Sequence, residues 1–338
     1  MRLAGAFLLV VITALSPAPA NAGTTLDEVR ARGFVRCGVT ELGESLTTLN
    51  ASGRWVGFYT DFCRAVAAAV TGDAKNVEFV MVSTGVRFDA LRASAMDLLS
   101  EASTWTMTRD VAGLEFAAVT FHDGQAFMVY APDGITSVDQ LKGKTVCVPD
   151  LGTSPQNLRD FAREKNLGIV PLPFATIEGA FQAFFDRQCK AISTDSLILG
   201  SVRLSLAPDP AQYRMLDARI SHEPLGLVVR DNDVAWADIV RWTFFAMVRA
   251  EELGITSQNA DDMRRSGVIE VRRLLGIEEP VAKEFGLDPE WGYRVVKQVG
   301  NYAEVYDRAL GPKTAFGMAR GRNALVKNGG VLWAPPIR

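Results

Sequence analysis

Histidine is scarce in this sequence: two residues, His122 and His222, among 338. The chain has no GxSxG or GxGxxG turn, no HExxH and no cluster of residues at metal-ligand spacing. These absences argue against nucleophilic, dinucleotide-dependent and zinc-dependent catalysis. We therefore predict no catalytic residue, no metal and no cofactor. We expect the chain to form two lobes, and both histidines fall in the segments that connect them. This position favours a structural role for both.

Strong charge and long apolar runs are also missing. The formal net charge is −3, and no basic run with interleaved aromatic residues occurs, so no nucleic-acid partner is predicted. Beyond the first 22 residues, no window approaches the roughly 20 uncharged residues that a membrane-spanning helix needs. We expect a soluble mature chain that does not insert into a membrane.

The N-terminus has the composition of a secretory signal. Arg2 precedes an apolar run over 6–15, and the small-residue sequence Ala-Asn-Ala ends at Ala22. We predict a signal peptide over 1–22, cleavage before Gly23, and export of the mature chain.

The four cysteines are Cys37, Cys63, Cys147 and Cys189. An even number in an exported protein favours disulfides, and no CxxC spacing suggests zinc binding or redox chemistry. Three pairings are possible. We favour Cys37–Cys63 and Cys147–Cys189, because each pair then lies inside one predicted lobe; free buried thiols are the alternative.

Hydrophobic periodicity predicts two successive α/β units followed by a helical tail. In the first unit we expect strands over 34–39, 54–58, 77–82 and 96–100, and helices over 26–32, from 61 and over 87–94. In the second we expect strands over 126–130, 145–149, 169–174 and 189–193, and helices over 137–141, from 154 and over 177–187. The tail predicts helices over 236–253, 260–275, 289–310 and 315–326. Such alternation is typical of a mostly parallel sheet with helices on both faces.

The length suggests two domains at about 150 residues each. We place lobe 1 at 23–121 and 226–338, including a helical C-terminal extension, and lobe 2 at 126–220. The chain then crosses between lobes in two hinge segments, 122–125 and 221–225.

A candidate ligand site begins where the strand over 96–100 leads into hydroxyl-bearing residues. Ser103 and Thr104 come first, and Thr104 and Thr106 would face the same side of an extended chain. Arg109 follows, and its planar guanidinium suits a carboxylate in two-point contact. The alternative is a strand-to-loop exit with a solvated arginine.

Lobe 2 offers complementary groups. Gly152, Thr153 and Ser154 precede a helix, whose first N–H groups can bind an anion; ordinary capping is the alternative. Thr194 and Asp195 end a strand, where doubly wound sheets bind ligands; for Asp195, a helix cap is the alternative. Together with an arginine, these groups match the carboxylate and ammonium of an α-amino acid.

Ten short motifs extend this pattern over the whole chain. They are VRCGV at 35–39, DFCRAV at 61–66, TWTMTRD at 104–110, DGQ at 123–125, VCV at 146–148, GT at 152–153, STD at 193–195, EPLG at 223–226, VKQVGNY at 296–302 and APP at 334–336. In these motifs the chain resembles the periplasmic general L-amino-acid-binding proteins of ABC transporters, which are family 3 solute-binding proteins. The resemblance implies an α/β, two-lobe fold of the periplasmic binding protein type II class, and delivery of L-amino acids to the membrane permease subunits of an ABC importer. It also implies that Arg109 and the helix start hold the ligand carboxylate, and Asp195 the ammonium.

Four positions depart from the family pattern. Leu46 replaces an aromatic residue, Tyr59 an aspartate, Glu101 an arginine and Ser196 a glutamine. Leu46 and Glu101 are therefore candidates to contact the ligand side chain, and Glu101 predicts that glutamate and aspartate bind at least about tenfold worse than neutral or basic amino acids. The alternative is that Glu101 points to solvent or pairs with Arg87. A periplasmic dehydratase-like enzyme and a ligand-sensing receptor are alternative functions on the same fold.

Overall fold

Two five-stranded sheets with helices packed on them organise the chain. A computed structural model describes residues 25–43, 45–278 and 285–338, so the predicted signal peptide over 1–22 lies outside the described residues. The strands are β1 Val35–Val39, β2 Thr48–Leu49, β3 Trp55–Val56, β4 Val77–Met81, β5 Leu98–Thr104, β6 Leu114–Asp123, β7 Gln125–Tyr130, β8 Thr145–Pro149, β9 Val170–Phe174, β10 Ala191–Asp195, β11 Tyr213–Met215 and β12 Glu223–Arg230. The helices are α1 Thr25–Arg32, α2 Phe58–Thr71, α3 Arg87–Arg92, α4 Met107–Asp110, α5 Ser154–Glu164, α6 Ile177–Phe185, α7 Ser196–Leu206, α8 Val234–Glu252, α9 Ala260–Met263, α10 Ile269–Leu274, α11 Trp291–Gln298 and α12 Tyr302–Ala309.

The first sheet has the order β4-β1-β5-β12-β6, and the second has the order β11-β7-β10-β8-β9. In each, three neighbouring strands are parallel, as the alternation predicts. The strands that carry the chain between sheets run antiparallel to their neighbours. The long strand β6 and the antiparallel β12 were not expected from the periodicity.

The chain leaves the first sheet and returns to it at neighbouring positions. β6 ends at Asp123 in the first sheet and β7 begins at Gln125 in the second, with Gly124 between them. A Cβ atom at Gly124 would lie 2.7 Å from the carbonyl oxygen of Ser221, so the backbones of the outgoing and returning segments approach too closely for a side chain. Asp123 also pairs with Glu223 in the β6–β12 ladder, which places both crossings side by side.

The tail differs from its predicted helices. The helix expected over 289–310 is two helices, because Gly300 adopts φ +104° and Asn301 then caps α12 with a capping box. The helix expected over 260–275 is likewise divided into α9 and α10. The helix expected over 315–326 is wrong; apart from short 3₁₀ turns, that segment is extended or irregular chain.

Three element boundaries in the first two units also shift. The strand expected over 54–58 stops at Val56, because Gly57 has φ +120° and α2 begins at Phe58. β5 continues four residues beyond the expected end at 100, and β10 is displaced toward Asp195. The last two shifts bring Thr104 and Asp195 into the ends of their strands.

Aromatic residues of the tail form part of the core. Tyr302 and Phe244 pack with Phe62 of α2, with ring centroids 5.8–6.3 Å apart. Trp236 is buried, and its Nε1–H donates to the carbonyl of Asp97 at 2.8 Å. Burial of each such ring contributes about 1.5–3 kcal/mol, so the tail stabilises the first sheet.

Both expected disulfides are confirmed. Cys37 of β1 is bonded to Cys63 of α2, and Cys147 of β8 to Cys189 just before β10, with Cα–Cα distances of 5.9 and 5.7 Å. Each bridge therefore joins elements packed on the same sheet. Among the described residues, no helix combines the length and apolar character needed to cross a membrane.

Candidate ligand-binding site

A small cavity, here called the inner cavity, lies between the strand ends of the two sheets. Its volume is about 30 Å³, which is room for one or two water molecules and not for an amino acid. The predicted site residues that line it are Glu101, Thr104, Arg109, Gly152, Thr153, Ser154, Thr194 and Asp195. The structure thus brings groups from both halves of the chain together in a closed arrangement.

Arg109 projects from the short helix α4 toward the inner cavity. Its Nη1 donates to the carbonyl of Thr104 at 2.6 Å, and its guanidinium carbon lies 5.1 Å from the centre of the Phe88 ring. A Cβ at Gly152 would lie 3.9 Å from Nη2, so the guanidinium of the first half approaches the helix start of the second. Burial and the neighbouring Arg87 lower the pKa of Arg109. The side chain is half-buried and held in place, which disfavours the solvated alternative.

The start of α5 presents its backbone without a side-chain cap. Thr153 occupies the N-cap position, but its hydroxyl makes no capping bond and donates to Glu223 instead. Pro155 follows in the first turn, where a missing N–H costs nothing. Ser154 and Thr194 lie with their hydroxyl oxygens 3.1 Å apart. Thr153 therefore does not cap α5 with its side chain, in contrast to the ordinary capping that the sequence analysis gave as the alternative.

Asp195 is a buried carboxylate without a matching donor. Asp195 is 6% exposed, and its Oδ1 accepts no hydrogen bond from any described residue. It stands at the N-cap of α7 but makes no cap bond, so the helix-cap alternative does not describe it. Burial, reinforced by the charges of Asp123 and Glu223, raises the pKa of Asp195 well above its ordinary value. A buried charge in this state is costly, and a cation beside it would remove much of that cost.

Sequence reasoning missed Glu223. Glu223 is 2% exposed, and its carboxylate accepts hydrogen bonds from Thr104 at 2.5 Å, Thr153 at 3.0 Å, Asn157 at 2.6 Å and Ser221 at 2.6 Å. Thr104 ends β5 of the first sheet, whereas Thr153 and Asn157 lie at the start of α5 in the second half, so this one side chain holds the two faces of the inner cavity together. The only signal in the sequence was a carboxylate at the start of the EPLG motif, next to the predicted second crossing.

Glu101 forms an ion pair with Arg87, which is one of the alternatives given in the sequence analysis. Its Oε1 lies 2.9 Å from Nε of Arg87, and both side chains are buried. The Ser103 hydroxyl joins the pair: it donates to Glu101 and accepts from Arg87 at 3.1 Å. The charge of Glu101 is therefore compensated locally, and Ser103 serves this pair rather than lining the inner cavity.

Two other predicted site residues lie outside the inner cavity. Leu46 is fully buried in the apolar core, because its backbone closes a turn onto Gly43 and directs the side chain inward. Leu46 does not line the inner cavity, so nothing in the structure supports its expected contact with the ligand side chain. Thr106 is the N-cap of α4, and its hydroxyl is engaged with the N–H of Arg109 and with Thr108.

The remaining departures from the family pattern lie beside the site. The hydroxyl of Tyr59 is buried and has no hydrogen-bond partner among the described residues. Burial, with the nearby charges of Glu101 and Asp123, raises the pKa of Tyr59 well above its ordinary value. The hydroxyl of Ser196 donates to Asp123.

No protein-family model matches the sequence. The chain is 40% identical over 324 residues to the general L-amino acid-binding periplasmic protein AapJ of Rhizobium johnstonii, covering 95% of both chains. It is 41% identical over 340 residues to the glutamate/glutamine/aspartate/asparagine-binding protein BztA of Rhodobacter capsulatus, covering 100% of both. The chain belongs to the amino-acid-binding periplasmic proteins of ABC transporters. A further relative, the putative amino-acid ABC transporter-binding protein YhdW of Escherichia coli, is 39% identical over 321 residues, or 94% of each chain.

Solved structures agree with this family. A periplasmic binding protein of an ABC transporter from Brucella ovis, with glutathione bound, has a TM-score of 0.91 and 39% identity, covering 94% of this chain and 100% of that one. An ancestral arginine-binding protein bound to arginine has a TM-score of 0.55 and 26% identity, covering 66% and 94%. The expected two-lobe fold of the type II periplasmic binding proteins is confirmed for this binding protein.

Proposed function

We propose that this protein captures an L-amino acid in the periplasm, between its two sheets, and delivers it to the permease subunits of an ABC importer. The observation that carries the proposal is Asp195, a buried carboxylate with an unpartnered oxygen, across one cavity from Arg109. Asp195 would accept the ligand ammonium. Arg109 and the N–H groups at the start of α5 would hold the carboxylate, as the positive end of a helix favours an anion. The names of the relatives support the same assignment.

The energetics of this site suit a transport protein. Hydrogen bonds to charged groups contribute roughly 1.5–3 kcal/mol each. Three or four of them, less the cost of ordering, correspond to micromolar binding near about −8 kcal/mol. Such an affinity allows both capture from dilute solution and release to a partner.

The proposal includes two lobes that are joined by two hinge segments. Lobe 1 would comprise 23–121 and 226–338, and lobe 2 would comprise 126–220, joined at 122–125 and 221–225. The close approach of Gly124 to Ser221 supports a paired hinge. The inner cavity of about 30 Å³ is too small for an amino acid, so a ligand must enter through an opened cleft that closes over it by hinge motion.

We further propose export by the segment over 1–22 and a purely binding role. The relatives are named as binding proteins, and the site presents groups that recognise a zwitterion. Mass spectrometry of amino acids incubated with the protein should show no new product. Turnover of any ligand would contradict the binding role.

A matched set of ligands tests the site. Calorimetry of the chain from residue 23 should detect micromolar binding of at least one L-amino acid. Leucine, 3-methylbutylamine and 4-methylpentanoate share a side chain but carry both charges, the ammonium alone or the carboxylate alone. We expect each single-charge analogue to bind at least about a hundredfold more weakly than the amino acid, since a charge of the site loses its partner. Equal binding of either analogue, or no binding of any amino acid, would contradict the proposal.

A further inference from the structure

A second cavity adjoins the inner one. This outer cavity has a volume of about 620 Å³ and shares two lining residues, Leu42 and Ile177, with the inner cavity. Leu42 follows β1 on the first-sheet side and Ile177 begins α6 on the second, so the two cavities adjoin where the two halves of the chain meet. Leu49, Val202 and Leu206 give the outer cavity apolar lining. An extended side chain of a ligand held at Asp195 and Arg109 would point toward this lining.

Two exposed carboxylates, Glu41 and Glu178, line the outer cavity. Glu41 lies on the first-sheet side, where it accepts a hydrogen bond from Thr48 at 3.0 Å. Glu178 lies in the first turn of α6 on the opposite side, exposed and in no ion pair with a described residue. Among the described residues that line this cavity there is no lysine or arginine.

The charges of the two cavities do not balance. In the inner cavity, Arg87 is compensated by Glu101, and Arg109 faces Asp195. Glu41 and Glu178 then add two carboxylates without a cation. An amino acid is neutral at its backbone end, so the excess negative charge acts on whatever its side chain carries.

Resting on the proposed function, we infer that the preferred ligands are L-amino acids whose long apolar side chain ends in a positive charge, such as lysine, ornithine and arginine. The methylene stem passes between Leu42 and Ile177, as charged side chains commonly pack their stems on apolar surface. The terminal cation lies near Glu41 and Glu178. Acidic ligands add to an existing excess of carboxylates and bind poorly.

A matched ligand pair tests the inference. L-norleucine has the stem of L-lysine without the terminal ammonium, so their ratio of affinities isolates the charge. We expect lysine to bind about five- to tenfold more tightly than norleucine, and L-glutamate and glutathione to bind at least about tenfold more weakly than norleucine. Raising the salt concentration to about 0.5 M should reduce the lysine to norleucine ratio, because exposed charges are screened.

Variants of the two carboxylates test whether Glu41 and Glu178 cause the preference for lysine. E41Q and E178Q should each weaken lysine binding about two- to fivefold and leave norleucine binding unchanged. E164Q is the matched control: Glu164 is exposed at the end of α5, outside the lining of both cavities. It removes the same charge from the protein and should change neither affinity.

Each outcome decides the inference. Equal affinities of lysine and norleucine, or tighter binding of glutamate or glutathione, would overturn the preference while leaving amino-acid capture in place. A lysine preference that survives both E41Q and E178Q would overturn the assignment to these carboxylates. Absence of binding by every amino acid, norleucine included, would remove the proposed function and this inference with it.

Discussion

The side-chain amide of Asn323 forms hydrogen bonds with both backbone groups of His122. Its Oδ1 accepts from the N–H of His122 at 2.7 Å, and its Nδ2 donates to the carbonyl of the same residue at 3.2 Å. Asn323 is 4% exposed and lies near the C-terminus, whereas His122 directly precedes the crossing between the sheets. The end of the chain is thereby attached to the proposed hinge. Burial and the charge of Arg322 lower the pKa of His122, which favours the neutral imidazole there.

Replacing Asn323 tests this attachment. N323A leaves both backbone groups of His122 without their partners, so we expect the free energy of unfolding to fall by about 1–3 kcal/mol. Urea denaturation measures it. N328A, at an exposed position of the same tail, should change stability by less than about 0.5 kcal/mol. Equal effects of the two variants would mean that the two hydrogen bonds of Asn323 contribute nothing to the free energy of unfolding.

Arg109 should dominate carboxylate binding. R109A is expected to cost about 3–5 kcal/mol of binding free energy, because it leaves the ligand carboxylate buried without its cationic partner. R109K keeps the charge but loses the planar fork, so its affinity should lie between those of R109A and the parent. Calorimetry with the best ligand measures both, and R163A, at a side chain 81% exposed, is the control. A loss below tenfold in R109A would refute the role.

The buried charge of Asp195 should lower the free energy of unfolding of the ligand-free protein. The folded-state pKa of Asp195 is raised above the unfolded value of about 3.9, so between the two the folded protein binds more protons. The free energy of unfolding must then fall as pH rises through this window. D195N removes the buried charge, and the ligand-free variant should melt higher than the parent at pH 7–8 but not at pH 4.

The same variant should lose amino-acid binding, since an amide cannot neutralise the ammonium. Melting curves from pH 4 to 8, with and without ligand, test both effects. D150N is the matched control at an exposed position, and its ligand-free form should not melt higher than the parent at pH 7–8. A D195N protein that is less stable than the parent throughout would contradict the expected penalty.

Glu223 should hold the ligand-free protein closed. It accepts from Thr104 at the end of β5 and from Thr153 and Asn157 at the start of α5 in the other half, and E223Q replaces one accepting oxygen with a donor. Losing about 1–2 kcal/mol of charge-assisted bonding would shift the ratio of open to closed molecules by about five- to thirtyfold. X-ray scattering should show a larger radius of gyration for ligand-free E223Q, while E164Q remains like the parent. Indistinguishable profiles of all three proteins would argue against a closing role.

Local patterns predicted much of this molecule. Alternating apolar segments identified the parallel strands, and strand-end placement brought Asp195 and Arg109 into one cavity. Glu223 was beyond such reasoning, because its donors Thr104 and Thr153 lie 119 and 70 residues away and meet it only in the folded chain. Helical periodicity also continued through Gly300, where a positive φ ends one helix before the next begins.

The positions of the two disulfides along the chain have a consequence for the order of folding. Cys37 and Cys63 are 26 residues apart, Cys147 and Cys189 are 42 apart, and the two bridged intervals neither overlap nor nest. When a chain emerges N-terminus first into an oxidising compartment, Cys63 meets Cys37 as its sole available partner. If that bridge closes before Cys147 appears, the next pair is equally unambiguous. The sequence of emergence then selects the native pairing without any exchange between mispaired bridges.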